Sequence, residues 1–251
     1  IVNVVGSSIA READNVFYTL AGPEIAVATT KAYSTQLIAV YLLAVEFARV
    51  RGKVQKDEYE RLIGELKSLP GKIARVLEDK ERIQWFAAKY ANAKDVFFIG
   101  RGIDYTVSME GSLKMKEISY IHSEAYAAGE LKHGPIAMLD ESMPVLSILM
   151  KGGVYEKILS NSEEAKARNA RMIALTNSDD AKLNDLFECV MKVPEIDEML
   201  SPALAIVPLQ LLAYYIAEFL GKDVDQPRNL AKSVTVEYLT GTFSSKKLGI
   251  T

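Results

Sequence analysis

Four short apolar runs constrain this chain more than any other feature: KDVFFIG (94–100), MPVLSILM (143–150), RMIALTN (171–177) and ECVMKV (188–193). Each is rich in β-branched residues and too short for a typical core helix, so each reads as a buried strand. Longer stretches of helical character lie among them, at 107–122, 154–168 and 202–220. Strands separated by helices have no tight turn to pair through as hairpins. They line up instead as a parallel sheet with helices on both faces, an α/β fold of the doubly wound kind. Upstream, 30–51 and 56–91 read as helical throughout, with Gly52 and the SLPG sequence at 68–71 as breaks.

The chain also resembles itself. QLIAVY (36–41) and QLLAYY (210–215) share Gln, Leu, Ala and Tyr at an offset of 174 residues. The same offset lays DNVFYTL (14–20) on ECVMKVP (188–194) and brings residues 1–5 near the RMIALTN strand. Two copies of one α/β unit are therefore expected in tandem, the first of them incomplete. The expected layout is a partial first unit with linking helices over 1–92, a complete second unit with a C-terminal tail over 93–237, and an extension over 238–251. Since the second unit opens near residue 94, its twin would open upstream of Ile1, with roughly its first two strands ahead of this numbering.

With 49% hydrophobic and 25% charged residues and a formal net charge of −3, the chain has the composition of an ordinary soluble globular protein of one large or two modest domains. Neither charge sign dominates, so nucleic acid and anionic membranes are not expected partners. No uninterrupted apolar run reaches the ~18 residues of a bilayer span. The opening IVNVV has no basic leader, and the single Cys189 excludes an internal disulfide framework. The expected location is the cytoplasm.

Polar residues that could do chemistry concentrate in GSLKMKEISYIHSEAYAAGELKHGP (111–135). On a helix, Lys114 and Glu117 share a face at i and i+3. A solvated ion pair is the simplest account of them, but Gly111, Leu113, Met115 and Ile118 make the helix too apolar to lie wholly in water. Of the two histidines, His133 precedes Gly-Pro and so sits on a fixed turn where its ring can be aimed. His122 reads as a helix-end residue without a role. His122, Glu124, Glu130 and His133 match no familiar zinc spacing, so no metal site is expected. FIGRG (98–102) is a strand followed by a glycine turn, a common place for phosphate-binding amides, though short of a dinucleotide fingerprint. In GPEIAVATTKAYSTQ (22–36), Thr29, Thr30 and Ser34 surround a helix start, where capping is the default role for at least one of them. In DQPRNLAKSVTVE (225–237), Lys232 stands among small and apolar neighbours on an irregular segment, a placement suited to a reactive amine.

Taken together, EGSLKMKEISYIHSEAYAAGELKHGP, PLQLLAYYIAEFLGKDVDQPRNLAKSVTVE and GPEIAVATTKA resemble the glutamine–fructose-6-phosphate aminotransferase family, the glucosamine-6-phosphate synthases. The resemblance runs from residue 1 to about Glu237 and covers the C-terminal isomerase half, which is built from tandem sugar isomerase (SIS) domains. It implies conversion of fructose 6-phosphate and ammonia to glucosamine 6-phosphate, with no cofactor, in hexosamine biosynthesis. It further implies that Lys232 forms a Schiff base with the open-chain sugar and that Glu117 shuttles the proton. His133 would open the ring and reach in from the neighbouring subunit of a homodimer. Lys114 would assist at the C1 hydroxyl, while Val27, Thr29 and Ala231 contact the sugar.

Three features depart from the family pattern. The glutaminase domain that supplies ammonia, with its N-terminal cysteine, is not in this sequence, and Cys189 within a strand is no substitute. The Ser/Thr-rich loop that holds the sugar phosphate in the family would lie upstream of Ile1. The family ends at VTVE, whereas this chain continues YLTGTFSSKKLGIT. The rival readings are an SIS-fold sugar-phosphate isomerase or deaminase and a non-catalytic sugar-phosphate-binding module. A covalent adduct on Lys232 separates the module from the synthase, and dependence on ammonia separates the isomerase.

Overall fold

The computed structural model describes residues 1–231. Lys232 and the expected extension 238–251 lie outside the described residues. Five strands form one parallel sheet: β1 (Asp95–Gly100), β2 (His122–Ala127), β3 (Pro144–Ile148), β4 (Arg171–Thr176) and β5 (Cys189–Lys192), in the order β2-β1-β3-β4-β5. The helices are α1 (Ser8–Glu12), α2 (Lys31–Val50), α3 (Lys56–Glu78), α4 (Lys80–Tyr90), α5 (Ile103–Ser119), α6 (Tyr155–Lys166), α7 (Lys182–Leu186) and α8 (Ser201–Phe219). This is the doubly wound α/β class that the alternation of short runs and helices predicts.

Strand periodicity divides the core in two. Along β1, Val96 and Phe98 point into a cluster with α3, α4, α5 and α8, while Phe97 and Ile99 point into a second cluster with α6, α7 and Leu131. Both faces are covered, which is why the central strands read as continuous apolar runs. Gly100 ends β1 because a Cβ there would lie 2.6 Å from the Asp104 carbonyl carbon, so the first turn of α5 sits directly on the strand end. The strand order reverses between β1 and β3, the crevice where such sheets take ligands. Asp104 spans that crevice, its Oδ2 accepting the Met150 N–H at 3.2 Å.

The offset of 174 residues reappears as geometry. Val2 and Tyr18 form a parallel bridge, and Thr19 N–H donates to the Val2 carbonyl at 2.9 Å. At the shifted positions, Thr176 pairs in parallel with Lys192, and Val193 N–H donates to the Thr176 carbonyl at 3.0 Å.

Four sequence readings need correction. The helix expected over 107–122 ends at Ser119. Tyr120 turns left-handed (φ 65°), and His122 opens β2, with its Nδ1 2.9 Å from Asp95 Oδ1. The SLPG sequence does not break a helix. α3 runs through Pro70, because Leu62, Leu66, Leu69 and Val76 bury one continuous stripe on either side of it. The break comes instead at Asp79. Thr30 stands at the N-cap of α2 without a side-chain capping bond, and the Glu24 carboxylate takes the Ala32 N–H at 3.1 Å. Finally, Glu198–Phe219 is long and apolar enough to cross a bilayer, with mean hydropathy 1.6. In the fold this stretch is mostly α8, the core helix, largely buried against α4, α5 and the sheet.

Candidate active site

α5 carries a compact charged cluster. Lys114 is 3% exposed, and its Nζ donates to Glu117 Oε2 in a short contact and lies 3.5 Å from Glu110 Oε1. Residues i−4, i and i+3 of one helix share a face, so this triad follows from spacing once the helix exists. Burial decides its chemistry. The cluster lies where α5 packs on α8 and beside α2, and Glu117 is the more accessible of the Lys114–Glu117 pair. Burial pushes the Glu110 carboxyl above the usual range, Lys114 opposes that shift, and the Glu117 charge adds to it. Tyr33 on α2 is raised to about 12 by burial, with Glu110 contributing. The arrangement sets a partly accessible carboxylate against a buried ammonium.

Beside Lys114 lies a cavity of about 170 Å³ where four segments meet: Ala28 and Thr30 from the 22–30 segment, Lys114 from α5, Gln210 and Tyr214 from α8, and Asp225 from the tail. The tail is tied to the 22–30 segment by the Val27 N–H, which donates to the Asp225 carbonyl at 2.9 Å. Gln210 Nε2 reaches the Thr30 carbonyl at 3.5 Å. Thr29 is half-buried between Ala28 and Thr30, and Ala231 is exposed at the end of the described tail. Lys114 lines the cavity; Val27 and Thr29 do not, although they alternate with the lining residues Ala26, Ala28 and Thr30, and Val27 holds the tail at Asp225.

His133 is not brought there. It is exposed, at the end of a short 3-10 helix (Ala128–His133) whose Leu131 packs in the α6-side core, across the sheet from α5. Among the described residues no group of three or more His, Cys, Asp and Glu is placed to hold a metal. The FIGRG turn is followed by the buried Asp104, whose Oδ1 has no hydrogen-bond partner among the described residues. Burial lifts this carboxyl to about 7, the Met150 N–H opposes that shift, and Glu198 adds to it. Glu110, Gln210 and Asp225 escaped sequence reasoning. Glu110 stands one helical turn before Lys114, and Gln210 opens one of the two repeated stretches, matching Gln36.

A family model described as SIS domain matches residues 1–46 and 89–217. The chain belongs to the SIS domain family. The match falls in two segments of this SIS chain, on either side of α3. Over 237 residues it is 55% identical to a glutamine–fructose-6-phosphate aminotransferase [isomerizing] of Caldanaerobacter subterraneus subsp. tengcongensis, covering 94% of this chain and 39% of that one. The protein of the same description from Methanosarcina mazei is also 55% identical, with 94% and 38% covered. The SIS chain therefore spans well under half the length of these relatives. Among solved structures, the C-terminal domain of glucosamine-fructose-6-phosphate aminotransferase from Francisella tularensis superposes with a TM-score of 0.84 at 36% identity, over 89% of this chain and 63% of that one.

Proposed function

We propose that this chain is the isomerase part of a glutamine–fructose-6-phosphate aminotransferase. In that reading it turns fructose 6-phosphate and ammonia into glucosamine 6-phosphate, the ammonia arriving from a glutaminase domain. The observation that carries this reading is the convergence of the Val27–Thr30 segment, Lys114 and the tail on one cavity beside a half-buried carboxylate.

Ring opening exposes the C2 carbonyl and calls for a group that titrates near neutrality, the role of His133. The unprotonated amine of Lys232 adds to C2 and releases water, leaving an imine that draws electrons from the C1–H bond. Ammonia then displaces the lysine by transimination. Glu117 takes the proton from C1 and returns it at C2, so a 2-imine becomes a 2-amino aldose: C1 is oxidised as C2 is reduced, and no external oxidant or reductant is needed. The Lys114 ammonium, fixed beside Glu117, offers a donor to the C1 oxygen as charge builds there. His133 serves the cavity of a neighbouring subunit in a homodimer, a reading supported by its absence from the lining of the Lys114 cavity of its own chain and by Leu131, beside it, packing in the α6-side core. Val27, Thr29 and Ala231 contact the sugar. The first unit, by the same reading, covers 1–92 and the second 93–237.

Borohydride reduction in the presence of fructose 6-phosphate tests the imine. Wild type should gain a sugar adduct on the peptide holding Lys232, and Lys232→Arg should gain none, since arginine stays protonated. An adduct that persists in the variant would overturn the assignment.

A further inference from the structure

Tyr120 is a non-glycine residue in the left-handed region (φ 65°), at the C-cap of α5, where glycine ordinarily avoids the Cβ penalty. Such backbone strain persists where the surroundings hold it in place, and it clusters at working positions. The side chain shows what it serves here. Tyr120 Oη accepts the backbone N–H of Arg228 at 2.7 Å, across 108 residues of sequence. The Arg228 guanidinium stacks on the ring at 4.4 Å from its centroid, and Lys222 Nζ approaches the same ring at 5.6 Å. One ring thus touches the tail through an amide and two cations, one contact at its polar end and two at its π face.

The tail between these contacts is ordered by local chemistry. Asp223 Oδ1 accepts the N–H groups of Asp225 and Gln226, Pro227 is buried, and Asn229 takes a left-handed turn (φ 61°). Val27 N–H holds the Asp225 carbonyl from the other side. Residues 222–228 are therefore pinned at two points, and Lys232 follows four residues later. Tyr120 also lies three residues beyond Glu117, on the element that carries the Lys114–Glu117 pair.

We propose that Tyr120 is a positioning residue, a clamp that registers residues 222–228 of the tail against α5 and thereby speeds imine formation at Lys232. The proposal rests on the reading of Lys232 as the imine-forming residue. The clamp fixes an approach distance that a free tail would sample only part of the time, and its effect belongs to the rate of imine formation rather than to sugar affinity.

Hydrogen exchange and borohydride trapping with fructose 6-phosphate test the proposal on the whole chain. Tyr120→Phe keeps the ring and removes the acceptor, so the Arg228 amide should exchange about tenfold faster while amides inside α5 keep their rates. Trapping at Lys232 should slow in Tyr120→Phe and slow further in Tyr120→Leu, which also loses the cation contacts. The sugar concentration giving half-maximal trapping should stay the same in both. Unchanged Arg228 exchange in Tyr120→Phe would overturn the clamp, as would Tyr120→Leu trapping at the wild-type rate. A slowed trapping rate that comes wholly from weaker sugar binding would count against positioning as well. If wild type is not trapped at all, the reading of Lys232 fails, and the Arg228 exchange rate decides the clamp on its own.

Discussion

At the scale of single residues, one buried and one half-buried carboxyl have different consequences. Asp104 is 2% exposed, with one oxygen unpaired among the described residues and its carboxyl raised from 3.8 to about 7 by burial. Between those values the folded protein holds a proton that the unfolded chain has lost. Its stabilising effect is complete below pH ~4, falls as pH rises toward 7, and is absent above, a change on the order of a few kcal/mol. Asp104→Asn cannot ionise and should flatten that fall, so urea midpoints measured from pH 4 to 8 should change less with pH in the variant. Parallel curves would show that Asp104 stays charged. Glu117 acts in chemistry instead. Glu117→Gln should leave borohydride trapping at Lys232 intact but slow the C1-to-C2 transfer by ~10² to 10⁴, seen as slower entry of solvent deuterium into product. Deuterium entering at the wild-type rate would reduce the Lys114–Glu117 contact to an ion pair.

Among the elements, α5 does the most. It packs on β1 and α8, carries the charged cluster, and ends at the tail contact. Its close approach to α8 depends on Gly111, where a Cβ would meet Leu209 Cδ1 at 2.6 Å and Phe98 Cε1 at 3.1 Å. Alanine gains about 1 kcal/mol of helix propensity over glycine. Overpacking a filled core costs about 1–3 kcal/mol, and both neighbours are buried. The steric cost wins, so Gly111→Ala should lower the denaturation midpoint and displace Lys114 relative to Gln210. A midpoint above wild type would mean that α5 and α8 can separate without loss. On α8 itself, Leu204 is fully buried, and Leu204→Ala should cost about 2–5 kcal/mol in chemical denaturation.

For the whole molecule, the question is how His133 meets the Lys114 cavity. In one chain His133 does not line that cavity, and Leu131, two residues before it, packs in the α6-side core. A symmetric dimer that builds each site from the lysine of one chain and the histidine of the other lets two defective chains repair each other. Mixing His133→Ala with Lys232→Arg, in the longest natural form of the protein, should restore activity. One site of each mixed dimer inherits both changes and the other neither, so activity should approach about half of wild type per heterodimer. Free subunit exchange without recovery would place His133 in its own chain's chemistry or in none.

Local pattern in the chain was enough to determine the α/β class, four of the five strands and the cores of the long helices. Each depends on a hydrophobic period only a few residues long, and that period is written in the residues themselves. The pairing of Lys114 with Glu117 was legible for the same reason, as a spacing on one helix. Tertiary structure decided the rest. β2 is a polar edge strand, HSEAYA, that exists because β1 offers it a hydrogen-bonding edge. α3 passes through Pro70 because its buried stripe outweighs one lost hydrogen bond. The burial of Lys114, the unpaired oxygen of Asp104 and the hold of Tyr120 on Arg228 all join residues far apart in sequence or depend on packing from several elements. No period along the chain records such contacts. They come into being only when the sheet and its helices have closed around them.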